Sequence, residues 1–225
     1  MKILVACEES QAVTKEFRKL GHEAFSCDIL PCSGGHPEWH FQEDIFEILK
    51  REEKFDLMIA HPPCTYLAVS GATWLYNKDG SRNEKRYKNQ REALEFVHDL
   101  MDVDIDHICI ENPISVISTY IREPDQIVQP WMFGDEAQKA TCLWLKNLPL
   151  LRETKIVGKG EMKEHIDKKT GKKKSQSMWY YQAFCTARTP QERRTLRSKT
   201  FPGIAEAMAK QWNDLSRIGI QQKLF

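Results

Sequence analysis

The sequence lacks the features that mark membrane and secreted proteins. No apolar run approaches the roughly 20 residues that a membrane helix needs, and the first residues show no signal-peptide pattern. The seven cysteines are odd in number and irregularly spaced, which predicts free thiols in a reducing compartment rather than a disulfide framework. We therefore expect a soluble cytoplasmic protein with no membrane association and no obligate protein partner.

A net charge is also almost absent. Lys and Arg number 33 against 32 Asp and Glu, so the formal charge is +1 and the global balance does not point to a polyanionic partner. A recognisable zinc pattern is missing too, because Cys27, Cys32, His36 and His40 follow a C-x4-C-x3-H-x3-H spacing that matches none of the common ligand sets. We expect no metal, and we interpret residues 30–40 as a lid or substrate loop.

What the chain does have is a βαβ pattern in a length that suits one domain. Its 225 residues are 41% hydrophobic, which is enough for a single core, so we expect one α/β domain over residues 1–225. Residues 2–7 predict a first strand, 11–20 an amphipathic helix with Ser10 as its N-cap, and 22–29 a second strand. This order is typical of a mostly parallel sheet with helices on both faces.

A short apolar run at residues 55–60 predicts a buried strand that delivers a cysteine at its end. Pro62 and Pro63 have no backbone N–H to continue a ladder, so the strand must stop there and Cys64 follows its carboxyl end. Ligands of open α/β sheets bind at that edge, and a thiol on a stiff turn is well placed to act as a nucleophile. The alternative is a small buried hydrophobe in an ordinary loop.

A second apolar strand, residues 107–113, ends in an acid, an amide and a proline. If it lies parallel to the strand before Cys64, Glu111 and the thiol face one crevice and can act on one substrate ring. Asn112 is expected to fix the Glu111 loop, and a purely structural turn is an equal alternative for it.

Pro-Pro-Cys64 and Glu111-Asn-Pro, in this order and each ending a strand, resemble the two catalytic motifs of the cytosine-C5 DNA methyltransferase family. The resemblance covers roughly residues 1–115 well and the remainder loosely. It implies a Rossmann-like fold that binds S-adenosylmethionine (AdoMet), and a reaction in which the Cys64 thiolate adds to C6 of cytosine while Glu111 assists at N3. His61 or an arginine of the C-terminal segment is then the expected positive neighbour of the thiol.

The family binds AdoMet with its first strand, helix and second strand, and the resemblance implies a corresponding pocket here. Asp28 matches an acid that hydrogen-bonds ribose hydroxyls, with a solvated strand-end aspartate as the alternative. Asp44 resembles an acid near the adenine amino group, with a helix N-cap as the equal alternative. The chain departs from the family at residues 6–12, which contain no glycine. The expected cofactor-binding residues are Cys7, Glu8, Ser10, Asp28, Asp44 and Pro62.

Two basic segments are expected to contact the DNA substrate. Residues 77–91 carry six basic against two acidic side chains, and 155–174 carry eight against three. We predict a loop over 77–89, and a small basic and aromatic insertion over 155–187 with a hairpin tip, where the family has a larger target-recognition region. The expected substrate-binding residues are Pro63, Asn112, Arg82, Lys85, Arg86, Lys172, Lys173 and Arg197.

The sequence therefore predicts a compact cytosine-C5 DNA methyltransferase, of a size that a phage could carry. Two rival hypotheses stay open at this point. Because a full recognition region is missing, the same chemistry could act on free cytidine nucleotides or RNA. Because the glycine turn is missing, the chain could instead be a nucleic-acid-binding module that has the fold without the catalysis.

Overall fold

The computed structural model describes residues 1–51, 54–166, 170–189, 192, 196, 198 and 200–215, with backbone alone at 183 and 184. Seven strands form the main sheet: β1 (Lys2–Ala6), β2 (Glu23–Cys27), β3 (His40–Phe41), β4 (Leu57–Ala60), β5 (His107–Pro113), β6 (Gln126–Val128) and β7 (Thr141–Lys146). The helices are α1 (Ala12–Lys19), α2 (Ile45–Lys50), α3 (Glu84–Asp102), α4 (Ile117–Tyr120), α5 (Met178–Thr186) and α6 (Pro202–Gln211). A separate hairpin consists of β8 (Met162–Ile166) and β9 (Lys173–Ser177).

The sheet has the order β3-β2-β1-β4-β5-β7-β6, and its first five strands in this order are parallel. Only β7 runs against its neighbours, β5 and β6, within the described sheet. The predicted Rossmann-like α/β fold is thus confirmed. After β1 the chain builds outward through β2 and β3, then returns to add β4 on the other side, and ligands of such sheets bind beside this reversal.

Both faces of the sheet are covered because alternate strand residues point to opposite sides. On one face Ile3 and Val5 pack in a cluster with residues of α1 and α6. On the other face Leu4 and Met58 pack in a cluster with residues of α2, α3 and α4. Nearly all of these side chains are fully buried, so the strands read as continuous apolar runs, as expected for a parallel sheet. Among the described residues, no helix is both long and apolar enough to cross a bilayer.

The start of α1 differs from the predicted Ser10 cap. The N-cap is Gln11, which has a left-handed backbone (φ 56°) and no capping side-chain hydrogen bond. The buried carboxylate of Glu8 satisfies the helix instead, because it accepts from the N–H groups of Val13 (2.6 Å) and Thr14 (3.2 Å) and from the Thr14 hydroxyl (2.7 Å). A carboxylate at this end also complements the helix dipole. The Ser10 prediction was therefore wrong.

One further prediction of local structure was wrong in its bounds. The loop expected over residues 77–89 ends early, because the Asn83 side chain caps α3 by accepting from the Arg86 N–H (3.1 Å). Strand β6 lies between Pro124 and Pro130. Its pairing with β7 stabilises a strand too short to be recognised locally. The hairpin expected within 155–187 is present as β8 and β9.

Gly203 offers a test of how α6 docks on the sheet. A Cβ at this position would overlap the carbonyl oxygen of Phe133, so we expect Gly203→Ala to lower the free energy of unfolding by about 1–3 kcal/mol or more. An unobstructed Gly→Ala change in a helix would instead stabilise the protein by up to about 1 kcal/mol. The sign of the change in unfolding free energy therefore distinguishes the two cases. Urea unfolding followed by circular dichroism measures it. Gly158→Ala, where an added Cβ meets nothing within 4 Å, is the matched control and should be nearly neutral.

Candidate functional site

Cys64 lies in a turn directly after the end of β4. The His61 N–H still donates to the Ala6 carbonyl of β1 (2.9 Å), and the two prolines then end the ladder. The Cys64 carbonyl accepts from the N–H groups of Leu67 (3.1 Å) and Ala68 (2.9 Å), which closes the turn. The thiol-bearing residue is half-buried, so it is both held and reachable. We name residues 61–69 the cysteine loop.

The cysteine loop is fastened to the end of β5. The Asn112 side-chain amide, which is buried, donates to the Pro62 carbonyl (2.8 Å). Further along, the Val116 N–H donates to Leu67 (2.9 Å) and the Val69 N–H donates to Ile114 (3.1 Å). Because β4 and β5 are adjacent and parallel, as expected, these bonds hold the cysteine loop beside Glu111.

Helix α3 supports the cysteine loop from the other side. The Arg86 guanidinium donates to the Thr65 carbonyl (2.9 Å) and lies over the Tyr66 ring. The Gln90 side chain donates to the Tyr66 carbonyl (3.0 Å). Arg86 was predicted to bind substrate, and the structure places its guanidinium against the loop backbone. The loop is therefore rigid on both flanks, which suits a group that must be positioned for reaction.

Glu111 forms a buried pair with His61. The Nδ1 atom of His61 lies 3.0 Å from Oε2 of Glu111, and each side chain is only 10% exposed. Burial disfavours a charge on either group, but the hydrogen bond between them and their opposite charges outweigh it. As a result the pKa of His61 is raised and the pKa of Glu111 is lowered. The pair therefore favours an imidazolium beside a carboxylate.

The other cysteines of the core are poor candidates for a nucleophile. Burial raises the pKa of Cys27 to about 12 and that of Cys142 to about 11. Burial also raises the pKa of Cys7 and of Cys109 far above the ordinary range of a thiol. Such thiols stay protonated and inert near neutral pH. Cys142 is a core residue with 1% exposure.

A cavity of about 500 Å³ opens at the carboxyl ends of β1, β2 and β4, next to the cysteine loop. Its walls include four acidic side chains, and prolines and aromatic rings supply apolar surface. The volume falls within the range of small-molecule sites. The lining consists of Cys7, Cys27, Asp28, Ile29, Glu43, Asp44, Ile45, Pro62, Pro63, Tyr66, Asn89, Glu92, Ala93 and Phe96. We name it the acidic cavity.

The structure brings four of the six predicted cofactor residues to the acidic cavity, namely Cys7, Asp28, Asp44 and Pro62. Burial raises the pKa of Asp28, and its Oδ1 accepts from the Leu30 N–H (2.8 Å). Asp44 lines the cavity and also caps α2 by accepting from the Phe46 N–H (2.8 Å), so the N-cap interpretation is confirmed and its role toward adenine stays a prediction. Among the described residues, the lining includes neither Glu8 nor Ser10.

The glycine-free turn after β1 adopts left-handed backbone without glycine. Cys7 has φ 58° and Gln11 has φ 56°, conformations that usually cost a side chain about 1–2 kcal/mol. The buried Gln11 side chain offsets this cost. Its amide donates to the His36 carbonyl (2.8 Å), and its Oε1 accepts from the His36 N–H (3.1 Å) and the Cys32 thiol (3.1 Å). Gln11 therefore ties the loop of residues 30–40 to the start of α1.

The predicted basic residues lie on two exposed surfaces. Arg82 and Lys85 are exposed at the start of α3, and the Arg82 guanidinium stacks 3.6 Å from the centroid of the Tyr87 ring. Lys172 and Lys173 are exposed on the hairpin, where Lys173 pairs with Glu164 of the opposite strand (2.7 Å). Arg197 lies outside the described residues.

Sequence reasoning missed several residues that shape the site. Tyr66 and Phe96 line the acidic cavity. Gln11 builds the turn beneath it together with Glu8, which was predicted as a cofactor ligand and caps α1. His61 was expected beside the Cys64 thiol, and the structure pairs its Nδ1 atom with Glu111.

Fold and site together define a Rossmann-like α/β protein that carries a thiol and a carboxylate at the ends of adjacent strands, next to an acid-lined cavity. No protein-family model matches the chain, and neither does any curated protein. Among solved structures it is similar to a protein of an E. coli prophage, provisionally described as a DNA modification methyltransferase, with 13% identity and a TM-score of 0.41. The match covers 70% of this chain and 52% of that one, so the chain spans about half of its length. Function is therefore inferred from the site itself.

Proposed function

We propose that the protein transfers a methyl group from AdoMet to C5 of cytosine in DNA, through a covalent bond between Cys64 and C6 of the base. The observation that carries this proposal is the cysteine loop, which hydrogen bonds fasten beside the buried Glu111 and which borders the acidic cavity. Cytosine C5 is a poor nucleophile, so a thiol that adds at C6 and a carboxyl group that serves N3 are the groups that the reaction needs.

The acidic cavity fits AdoMet in charge and size. Carboxylates of Asp28, Glu43 and Asp44 suit its sulfonium and ammonium charges, its ribose hydroxyls and its adenine amine. Tyr66 and Phe96 provide apolar surface for a purine ring. When bound, AdoMet supplies the methyl group that the activated C5 takes up. The cavity lies next to Pro62 and Pro63, beside the cysteine loop, which supports a donor site there.

The protein's own residues supply the remaining chemistry. Cys64 Sγ forms a bond to C6 while Glu111, in its protonated form, donates a hydrogen bond to N3 and stabilises the negative charge that develops there. A water molecule then takes the C5 proton, and the electron pair of that C–H bond re-forms the C5–C6 double bond, expels Sγ from C6 as the thiolate and restores the aromatic base. In duplex DNA the base must first be turned out of the stack, at a cost of a few kcal/mol. The Asn112 bond to Pro62 keeps thiol and carboxyl groups in register throughout.

An exposed aromatic and basic surface next to the cysteine loop suits the DNA. Trp74 is 67% and Tyr76 is 56% exposed in the segment that follows the cysteine loop. Arg82 and Lys85 lie close by in sequence, at the start of α3. Aromatic stacking on unpaired bases is worth about 1–3 kcal/mol per base, and the cations neutralise phosphates.

The product identifies the reaction. DNA incubated with the protein and AdoMet should contain 5-methylcytosine after enzymatic digestion and mass spectrometry. N4-methylcytosine or N6-methyladenine would contradict the proposal.

The same assay on dCMP and on RNA tests the second candidate function. One observation favours it: the insertion expected in place of a recognition domain includes a hairpin with strands of only five residues each. Product from dCMP and none from DNA would establish it.

Asp28 provides a test of the cofactor site that does not need turnover. Asp28→Ala removes a half-buried carboxylate from the acidic cavity, and a hydrogen bond to a charged group contributes about 1.5–3 kcal/mol. We therefore expect AdoMet to bind roughly 10- to 100-fold more weakly by isothermal titration calorimetry. Asp104→Ala, an exposed aspartate before β5, is the control and should bind as the wild type does. If the two variants bind AdoMet with equal affinity, Asp28 does not contact the cofactor. If the wild type does not bind AdoMet at all, the result favours a non-catalytic nucleic-acid-binding module.

A further inference from the structure

His61 is a largely buried histidine beside Glu111 that the proposed mechanism does not use. It follows β4 directly, and its backbone N–H continues the β1–β4 ladder by donating to the Ala6 carbonyl. The backbone from which the imidazole ring extends is therefore held in place. Within the described part of the chain, Nε2 has no hydrogen-bond partner, and Nδ1 bonds Glu111 at 3.0 Å. The side-chain bond of this imidazole is thus directed at the carboxyl group that serves the base.

Charged groups reach His61 from three elements. Glu111 belongs to β5, Glu8 to the turn between β1 and α1, and Lys139 to the segment before β7. The two carboxylates favour a proton on the ring and Lys139 opposes it, while burial also opposes it. The carboxylates prevail, so the pKa of His61 is raised, and the pKa of Glu111 is lowered by His61 and Lys139 against its own burial.

This charge distribution leaves the proposed reaction with a missing proton. A carboxylate can accept a hydrogen bond, but it has no proton to give to N3 when the thiolate adds to C6. The proton of the pair resides on the imidazolium, one hydrogen bond further from the base. A general acid must hold its proton in the resting enzyme and be able to release it.

We propose that His61 is a positioning residue that stores the proton used at N3 and passes it there through Glu111. This inference rests on the proposed cytosine chemistry. As Sγ bonds to C6, electron density moves from the ring double bond to N3. The Nδ1 proton moves to Glu111, Glu111 donates a proton to N3, and His61 becomes neutral. When the bond between Sγ and C6 breaks, N3 returns the proton to His61 through Glu111. His61 therefore ends the cycle in the protonation state in which it began.

The test is the pH profile of covalent adduct formation on DNA that contains 5-fluorocytosine, because fluorine at C5 stops the reaction at the adduct. In the wild type the rate should fall as pH rises through the pKa of His61, because the ring then loses the proton that N3 needs. In His61→Asn this falling limb should disappear, and the rate at pH 7 should drop about 100-fold, the lower end of the usual contribution of acid–base catalysis. KM for DNA should stay within about twofold. His98→Asn, on the exposed face of α3, should retain the falling limb.

The outcomes separate this inference from the proposed function. A wild-type adduct together with an unchanged falling limb in His61→Asn overturns the role of His61 and leaves the function standing. The complete absence of a wild-type adduct overturns both. A second measurement does not depend on a folded variant of His61: NMR titration of the imidazole should show a lower pKa in Glu111→Gln than in the wild type. An unchanged imidazole pKa would contradict the pairing.

Discussion

Cys64→Ser is expected to abolish methyl transfer, with the rate falling by roughly 10⁴-fold or more, as for other catalytic nucleophiles. Serine has nearly the same shape, but its hydroxyl stays protonated near neutral pH and is a far weaker nucleophile than a thiolate. Adduct formation on 5-fluorocytosine DNA should disappear in parallel, on a denaturing gel and by mass spectrometry. Because the cysteine loop is held by hydrogen bonds from the side chains of Asn112 and Arg86 and by backbone hydrogen bonds to the segment after β5, the fold should be unaffected.

The control for this substitution is Cys185→Ser. Cys185 is an exposed cysteine of α5, and its replacement should leave both rate and adduct unchanged. AdoMet should bind Cys64→Ser as tightly as the wild type, since the acidic cavity does not include the thiol. A Cys64→Ser protein that keeps more than about a tenth of the wild-type rate would contradict covalent catalysis.

Glu111→Gln is expected to lower the methyl-transfer rate by about 10²–10⁴-fold, the usual contribution of a general acid or base. Glutamine preserves the size of the side chain and can still hydrogen-bond, but it can neither carry the negative charge that holds the His61 proton nor pass that proton on. Steady-state kinetics should show the loss in kcat rather than in KM for DNA. Glu95→Gln, an exposed glutamate of α3, should leave the rate unchanged, whereas full activity of Glu111→Gln would remove Glu111 from the mechanism.

The same substitution should change stability in a pH-dependent way. The lowered pKa of Glu111 means that its contribution is present above its ordinary pKa of 4.5 and is lost as pH falls through its folded value. The raised pKa of His61 means that its contribution is present below 6.5 and is lost as pH rises through its folded value. Urea unfolding should therefore show the largest difference between wild type and Glu111→Gln at pH 4.5–6.5. A difference that does not vary from pH 4 to pH 9 would contradict the charged pair.

The strands that build the site were predictable from the sequence because each carries its own signal. The runs of residues that precede Cys64 and Glu111 are short and apolar, and each is soon followed by a proline that ends the strand. That they lie side by side also followed from a parallel sheet, since its strands end at one edge. Four of the predicted cofactor residues meet at the acidic cavity for the same reason.

The turn after β1 shows where local reasoning stops. The missing glycines suggested a damaged ligand site, yet Cys7 and Gln11 adopt the left-handed conformation themselves. What makes this possible is the set of bonds that Gln11 forms with Cys32 and His36, more than 20 residues away. A residue-by-residue preference cannot include a partner that only folding brings near.

By itself, the sequence determined the alternation of strands and helices, and the placement of a thiol and a carboxylate at strand ends, because apolar periodicity and proline act locally. Tertiary structure alone decided the partners of those groups. The sequence allowed Glu8 to bind a ligand or to cap a helix, and it allowed Arg86 to contact a phosphate or to support the cysteine loop. It also allowed His61 to lie beside the thiol or to pair with Glu111. Each choice depended on distances between segments up to 50 residues apart, and such distances are set by how the sheet and its helices pack.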